Sequence, residues 1–397
     1  MRLVESRRPF ARAIIALAIG VVVVQTPRSE AHKAITSPYT YNEHVFPILR
    51  DRCARCHAEG GPTPMSLTTY AASTPWAQSM REQLLWERMP PWYADPGGPA
   101  VKGSQALSPR ELDVLITWAT GGNPEGDVAR KPAPVPPPPE WWGGKPDFVV
   151  AMAEPHTVSA GTLEDQGEFT LATGLTEVKW VKGVDLLPGA ASMVREALIQ
   201  IENGPVLGVW VPGHDARAMT PPGGAGFKLP PGARLRLQIR YKKNWQDEQK
   251  ALTDLSSVGL YFMEPPVSGK DIQALTFGGP VMDGLGSGGL TSPASGSRKL
   301  SGTLRSAVRV LAVRPMLDQP YASVTVQAVL PGGRPVPLLL LRNPRQEWPR
   351  RYWLADPVEL PGESTLEVIA TPMAPNPDEI PTPRRNSFQV ALDYVAM

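Results

Sequence analysis

The sequence contains only two cysteines and five histidines in 397 residues, and this scarcity limits the metal sites and disulfides that it supports. A structural zinc site needs more ligands than one cysteine pair and an adjacent histidine supply. Basic runs interleaved with aromatic residues are also missing, as are a phosphate-binding glycine loop and a Ser/His/Asp triad. Nucleic-acid binding and triad hydrolysis are therefore not expected.

The N-terminus has the features of a secretory signal. Four arginines precede an apolar run of 12 residues at 13–24, and the small-residue segment Ser-Glu-Ala follows at 29–31. The run is short of the roughly 20 residues that a membrane helix needs. We therefore predict a signal peptide at 1–31 and an exported, periplasmic location, with an uncleaved anchor as the alternative. No later stretch is apolar enough to cross a membrane, so no integral span is expected after cleavage.

Removal of this segment changes the charge of the chain. The segment carries five Arg and two Glu, a net +3, so the formal charge of +2 becomes −1. A nearly neutral chain has no broad positive field for a polyanion, and we predict no nucleic-acid partner.

The cysteines lie in the sequence Cys53-Ala-Arg-Cys56-His57. In an exported protein such a pair would form a disulfide or a redox dithiol, but a histidine directly after the second cysteine is the attachment signature of c-type haem. Both thiols add to one edge of a porphyrin, and the spacing places the histidine at the iron. We predict one haem c, covalently held by Cys53 and Cys56, with His57 as an axial iron ligand.

Helical periodicity surrounds this motif. Residues 42–57 are predicted to form a helix that is capped by Asn42, carries Pro47 in its first turn and ends before the glycines at 60–61. A further helix is expected in the stretch that contains Met80. Another begins at Ser108, with Pro109 in its first position, and ends at Gly121.

Met89 is the predicted sixth iron ligand. It lies in Glu-Arg-Met-Pro-Pro-Trp, between the last two predicted helices, where the prolines favour an extended backbone. Met65, Met80 and a five-coordinate iron remain alternatives. His32 and His44 are predicted to be surface residues rather than ligands.

The rest of the chain has a different pattern. Residues 129–147 contain seven prolines and predict a stiff, extended linker after a haem domain at 32–128. From residue 148 short segments with alternating polar and apolar residues predict strands. A Gly/Ser-rich linker at 271–297 separates two β-sandwiches, at 148–270 and 298–397. His156 and His214 fall in the first of these and are predicted to be surface residues.

The order of these segments resembles a known family. CARCH is followed by PMSLTTY, RMPPW, LSPRELDVLITWATGGNPEGD, a Pro-rich linker, RLRLQIRY and ELPGESTLEVIA. This order is similar to that of bacterial fusions of a class I-like cytochrome c domain with a copper type II, ascorbate-dependent monooxygenase-like module, which has the two-sandwich fold of peptidylglycine hydroxylase. The expected fold class is multidomain, a small all-α cytochrome c domain followed by two all-β sandwich domains.

The resemblance also implies copper ligands that this chain lacks. The family builds its copper centres from several histidines and a methionine, whereas only two histidines follow the haem motif here. The family's His-His, His-Tyr and His-Met-His positions match Arg195-Glu196, Arg240-Tyr241 and Pro315-Met316-Leu317. These replacements bind copper poorly or not at all, so copper is not expected. Glu196 and Arg240 either pair at the former site or are exposed.

These observations predict an exported mono-haem c-type cytochrome that transfers electrons and uses a copper-free monooxygenase-like module for scaffolding or docking. The sequence leaves open whether the protein is an enzyme, and the missing copper histidines favour a haemoprotein without enzymatic activity. Two alternatives remain open. One is a copper-dependent monooxygenase-like oxidoreductase with altered metal sites; the other is a haem-bearing subunit that docks on a membrane or multi-haem complex. The sequence does not identify the redox partner.

Overall fold

The computed structural model describes residues 36–214, 220–278, 296–374 and 387–397. The predicted signal peptide, His32 and most of the Gly/Ser-rich linker lie outside these ranges. Within them, no helix is both long and apolar enough to cross a membrane.

The cysteine motif ends a continuous helical segment at 41–57. π-Helical turns at Tyr41–Val45 and Leu49–Cys53 alternate in it with α-helical turns at Phe46–Ile48 and Ala54–His57. The segment begins after Thr40 instead of Asn42, which places Pro47 in its interior. Because proline has no N–H for the ordinary helical hydrogen bond, the backbone departs from regular α-helix on either side of it.

Two regular helices follow. Helix α1 spans Ala77–Leu85 and helix α2 spans Pro109–Thr120. Helix α2 starts as its sequence predicts: Ser108 Oγ accepts from the Glu111 amide, the Glu111 carboxylate accepts from the Ser108 amide, and Pro109 occupies the first turn. Single helical turns lie at Tyr70–Ser73, Thr74–Trp76, Val128–Arg130, Pro222–Gly224 and Trp245–Asp247.

The prediction of a small all-α cytochrome c domain is wrong. Five sheets dominate the structure, strands make up 38% of it, and α1 and α2 are short. The segment after α1 is rich in proline and does not close a helical domain. It is extended and makes bridges from Ala94 to Leu341 and from Val101 to Leu354, which attach it to the C-terminal sheets. Tyr93 and Ala94 are buried in the C-terminal β core.

Ten strands are present in the described residues of the first β unit. Their bounds are β1 Phe148–Ala151, β2 His156–Val158, β3 Glu164–Ala172, β4 Lys179–Leu187, β5 Val194–Ile201, β6 Val206–Trp210, β7 Phe227–Leu229, β8 Arg234–Lys242, β9 Leu252–Asp254 and β10 Ser257–Met263. Two antiparallel sheets, β1-β10-β4-β7 and β3-β8-β5-β6, enclose one core, with a β2-β9 ribbon beside them. Strand β8 shows why the sheets enclose a core: its alternate apolar residues are buried, and its polar residues face outward.

The second β unit contains eight strands. They are β11 Gln273–Gly278, β12 Arg298–Thr303, β13 Val308–Met316, β14 Tyr321–Val329, β15 Pro335–Arg342, β16 Tyr352–Leu360, β17 Thr365–Pro372 and β18 Gln389–Ala396. Sheets β11-β18-β13-β16 and β12-β17-β14-β15 share a second core, so this unit is also a sandwich. Strand β11 comes from the segment that the sequence assigned to the Gly/Ser-rich linker.

The two sandwiches pack directly against each other. Leu311, Ala312 and Trp353 of the second sandwich are buried in the core of the first. Arg351 is 1% exposed in this contact, and its Nε donates to Asp393 Oδ2 over 2.8 Å. Its other nitrogens donate to the carbonyls of Val206 and Leu207 on edge strand β6. The arginine therefore satisfies backbone acceptors that an edge strand would otherwise leave open.

Candidate functional site

The two cysteines occupy the C-terminal end of the helical segment 41–57, and both are free thiols. Burial raises the pKa of Cys53 to about 12, with a smaller contribution from Cys56, and it raises the pKa of Cys56 to about 11. Both side chains are therefore neutral thiols near pH 7. They form no disulfide with each other, so both sulfurs are in the reduced state from which a thioether bond is made.

The first sandwich covers Cys56. The Cys56 Sγ donates to the carbonyl of Pro212 over 3.4 Å. Gly213 has φ of 72°, and a Cβ at this position would lie 2.4 Å from the Cys56 sulfur. Glycine is thus required both by the backbone conformation and by the close approach. The loop after β6 belongs to the surroundings of the cysteine motif, which the sequence did not indicate.

Three guanidinium groups act electrostatically on the same thiol. Arg350, Arg55 and Arg195 each partly counteract the rise in the pKa of Cys56. They come from the second sandwich, the motif itself and the first sandwich, so all three parts of the chain meet here. Arg195 donates to backbone carbonyls of 191, 192 and 194 and to Asn244 Oδ1. The site consequently has a positive electrostatic character on the Cys56 side.

His57 is buried and held in one orientation. Thr63 Oγ1 lies 3.2 Å from its Nδ1, and the same hydroxyl is 2.8 Å from the Cys56 carbonyl. Burial lowers the pKa of His57, and a hydrogen bond to the Met65 backbone carbonyl partly offsets this effect. A neutral imidazole whose Nδ1 is engaged presents Nε2 as the nitrogen for a metal.

Met89 lines a cavity of about 240 Å³ between α1, α2 and the segment that follows Met89. Its apolar lining includes Leu84, Trp92, Leu107 and Leu112. Leu107, Leu112 and Cys53 pack against the same helical core. The cavity is smaller than the roughly 300–1,000 Å³ of typical ligand pockets, so a porphyrin-sized group needs some outward movement of lining side chains.

The alternative methionines have other surroundings. Met80 is partly buried against the helical core, among residues of α1 and α2. The backbone carbonyl of Met65 accepts a hydrogen bond from His57. His44, which the sequence placed at the surface, is half-buried, and its Nδ1 accepts from the Thr40 amide at 3.2 Å. Two thiols, a neutral imidazole and a thioether are a donor set that suits a covalently bound haem. Of these groups, Met89 lines the cavity, whereas the two cysteines and His57 are not among its lining residues.

Two of the residues that the sequence resemblance matched to copper ligands form an ion pair. Glu196 and Arg240 face each other in the β5–β8 register, and the carboxylate lies 3.9 Å from Arg240 Nε. Their side chains are only 13% and 19% exposed, so the hypothesis of a pair is confirmed and the interpretation as exposed residues is wrong. Tyr241 is fully buried and donates to Asp254 over 3.1 Å. In the described part of the chain, no three His, Cys, Asp or Glu side chains are grouped to hold a metal ion.

The prediction that His214 is a surface residue is wrong. It is 3% exposed, and its Nε2 lies 3.4 Å from Asp185 Oδ1, a carboxylate with no exposed surface. Burial raises the pKa of Asp185 to about 6, although the amides of Gly143 and Leu186 donate to it. The loop of His214 follows β6, which is buried on both faces, and this apolar run was the available signal of burial.

His156 is also part of a local network. Its Nε2 lies 3.0 Å from Asp165 Oδ2, and its ring stacks on Tyr241 at 4.9 Å between centroids. The side chain is 24% exposed, at the edge of the first sandwich. His156 therefore packs beside Tyr241, and no described contact brings it to the cysteine motif.

Comparisons with known proteins assign no family. No family model and no curated protein matches the chain. Solved structures with partial similarity include the major capsid protein P2 from bacteriophage PM2, with 10% identity over 62% of this chain and 96% of that one, at a TM-score of 0.27. An allantoicase has 12% identity over 57% and 76%, at 0.20. A Paenibacillus xanthan lyase has 11% identity over 67% and 28%, at 0.19. TM-scores this low support no conclusion about fold or function.

Proposed function

We propose that the protein is an exported electron carrier with one haem bound covalently through Cys53 and Cys56. The observation that carries the proposal is the arrangement of the motif: two free thiols at a helix end, followed by a buried imidazole with Nδ1 engaged. A haem bound at this position supplies one-electron transfer. The proposal concerns the attachment site and does not require an independent all-α domain around it.

The residues of the chain have separate roles in this proposal. Cys53 and Cys56 attach the group, and Thr63 orients His57 through its Nδ1. Met89, which lines the cavity, would supply a thioether ligand to the iron. Thioether ligation raises the reduction potential and closes the iron to small molecules, which suits electron transfer better than substrate oxidation.

The two sandwiches act as a copper-free scaffold in this proposal. The first covers Cys56 with the Pro212–Gly213 loop, and the second supplies Arg350. At the former ligand positions an ion pair and a buried tyrosine stand in place of imidazoles. A relationship to the cytochrome–monooxygenase fusions, with loss of copper, remains our interpretation of these positions.

Covalent attachment is the decisive test. The full chain is expressed with export in a bacterial host that matures c-type haem proteins, and haem is measured after denaturation by mass and by in-gel staining. We expect one haem per chain in the parent, and no haem that survives denaturation in the double variant Cys53→Ala/Cys56→Ala. A parent protein without covalent haem would refute the proposal.

The axial ligand has its own experiment in the same holoprotein. Met89→Ala should lower the reduction potential and open the iron to cyanide or CO. Met80→Ala is the matched control, because Met80 packs in the helical core and does not line the cavity. An effect of Met80→Ala on cyanide binding, with none of Met89→Ala, would reassign the ligand. Copper analysis of the same samples separates the electron carrier from a monooxygenase, which needs stoichiometric copper.

A further inference from the structure

We propose that the second sandwich positions Met89, and that Asn343 and Arg350 in the β15–β16 connection are its positioning residues. The inference rests on the proposed haem attachment and on Met89 as the ligand. Asn343 contacts the chain at Glu87, and Arg350 contacts it at Pro91. These contacts lie two residues before and two residues after Met89.

The contact before Met89 joins two strained residues. Asn343 Nδ2 donates to Glu87 Oε2 over 2.6 Å. Both residues adopt left-handed backbone conformations, with φ of 52° at Glu87 and 47° at Asn343. Such conformations are energetically unfavourable and persist where neighbouring structure over-determines them, frequently at functional sites. The side-chain bond thus helps to hold the turn from which Met89 emerges after α1.

The contact after Met89 comes from Arg350. Its Nε donates to the Pro91 carbonyl over 3.1 Å, and its guanidinium lies 5.5 Å from the centre of the Trp92 ring. Arg350 therefore holds the segment that directly follows the proposed ligand.

Backbone pairing anchors the chain further along. The Arg342 amide donates to the Tyr93 carbonyl, and the Asp95 amide donates to the Leu340 carbonyl, both over 2.9 Å. Arg342 also pairs with Asp95 at 2.8 Å. Residues 93–95 are thereby attached to the edge of β15, whereas the Met89 amide is still bonded to Gln83 in α1 at 3.3 Å. Met89 lies where the helical part and the sandwich are joined, and a shift of either part moves it.

This arrangement has a consequence for the metal. Contacts that orient a ligand from behind control its bond to the metal, and their removal typically costs about 10–100-fold in affinity or activity. The second sandwich is then a part of the haem site, and loosening its two contacts should weaken the Met89–iron bond without altering Met89 itself.

The test uses the full-length holoprotein and two variants. Asn343→Gly removes the amide at a position where glycine tolerates the positive φ and leaves the net charge unchanged. Arg350→Gln removes the guanidinium group, and the shorter glutamine side chain still carries an amide donor. Imidazole binding to the ferric protein, the reduction potential and hydrogen exchange of residues 86–95 are measured. Each variant should bind imidazole at least about tenfold more tightly, have a lower potential and exchange faster in that segment.

Arg309→Gln is the control, since Arg309 pairs with Glu359 on the exposed face of the same sandwich. It should leave all three measurements unchanged. The inference would be overturned if both variants, Asn343→Gly and Arg350→Gln, carry haem and keep the imidazole affinity and the reduction potential of the parent. This holds whatever their hydrogen-exchange rates are. A parent chain without covalent haem would instead refute the proposed function, and this inference with it. If Arg350→Gln does not accumulate, Arg350→Lys and Asn343→Gly decide the question.

Discussion

The ion pair of Arg351 and Asp393 between the sandwiches should contribute strongly to stability. Both side chains are essentially without solvent contact, at 1% and 0% exposure. In Arg351→Met the carboxylate stays buried without its partner, and the carbonyls of Val206 and Leu207 lose their donors. The guanidinium also packs over Phe227 and Trp353, at 5.3 and 5.0 Å from the ring centres. A methionine of similar length retains part of that packing only.

Breaking a buried pair from one side typically costs 3–5 kcal/mol, so we expect a loss of about 3–5 kcal/mol in the free energy of unfolding. This is a large fraction of the roughly 5–15 kcal/mol that stabilises a typical protein. Arg314 is nearby: burial lowers its pKa to about 10, and Asp393 opposes this shift. Asp393 thus stabilises two arginines, and its own removal should also be destabilising.

The assay is urea unfolding of the full chain, followed by tryptophan fluorescence and by circular dichroism, with Arg351→Met, Asp393→Leu and the double variant. The double variant should lose less than the sum of the single variants, with a coupling of about 1–3 kcal/mol. Arg309→Met, which breaks an exposed pair with Glu359 at 2.6 Å, should cost less than about 1 kcal/mol. Equal losses for Arg309→Met and Arg351→Met, or additive single variants, would refute the reasoning.

Three further outcomes are expected. Gly213→Ala should displace the loop from the motif, because the position has a positive φ and a Cβ there would lie 2.4 Å from the Cys56 sulfur. Faster hydrogen exchange at 206–214 would show the displacement. Gly223→Ala is the control, since Gly223 has a similar φ but open space around it, and equal effects of the two variants would contradict the prediction. Ser108→Ala should lower the free energy of unfolding by about 1 kcal/mol through loss of the cap, with the exposed Ser104→Ala as control. The pKa of Asp185 is raised from 3.8 to about 6 by burial, so its native form binds a proton more tightly than the unfolded form. Its contribution to stability is present below about pH 4 and lost as pH rises through about 6, a difference of about 3 kcal/mol that urea titrations should find in the parent and not in Asp185→Asn.

Local patterns in the sequence predicted several elements well. Strand alternation at β8 and β14 follows from the burial of one face of each sheet. The start of α2 follows from the capping chemistry of Ser108, Pro109 and Glu111. The pairing of Glu196 with Arg240 could be predicted from the sequence, because facing residues on neighbouring antiparallel strands point to the same side of the sheet.

Contacts between residues far apart in the chain explain why the predictions for the helical region and for His214 were wrong. The prolines after α1 predicted extended backbone around Met89, but Met89 and Pro90 lie in a bend. The partner of the segment that follows, β15, lies more than 200 residues later in the chain. The helical region was therefore predicted as a small all-α domain, and the structure, which is dominated by sheets, does not show one. The burial of His214 was missed for the same reason, because Asp185 comes from a distant strand, β4.

By itself, the sequence determined which residues have the chemistry for covalent attachment, since Cys53, Cys56 and His57 are adjacent and their spacing is local. It also determined the strand-forming character of the chain after residue 148. Only the tertiary structure decided what surrounds the motif. Arg195, Gly213 and Arg350 approach Cys56 from two different sandwiches, and no periodicity or spacing encodes such a meeting. The physical reason is that these neighbours are selected by the packing of whole sheets, which depends on contacts between residues far apart in the chain.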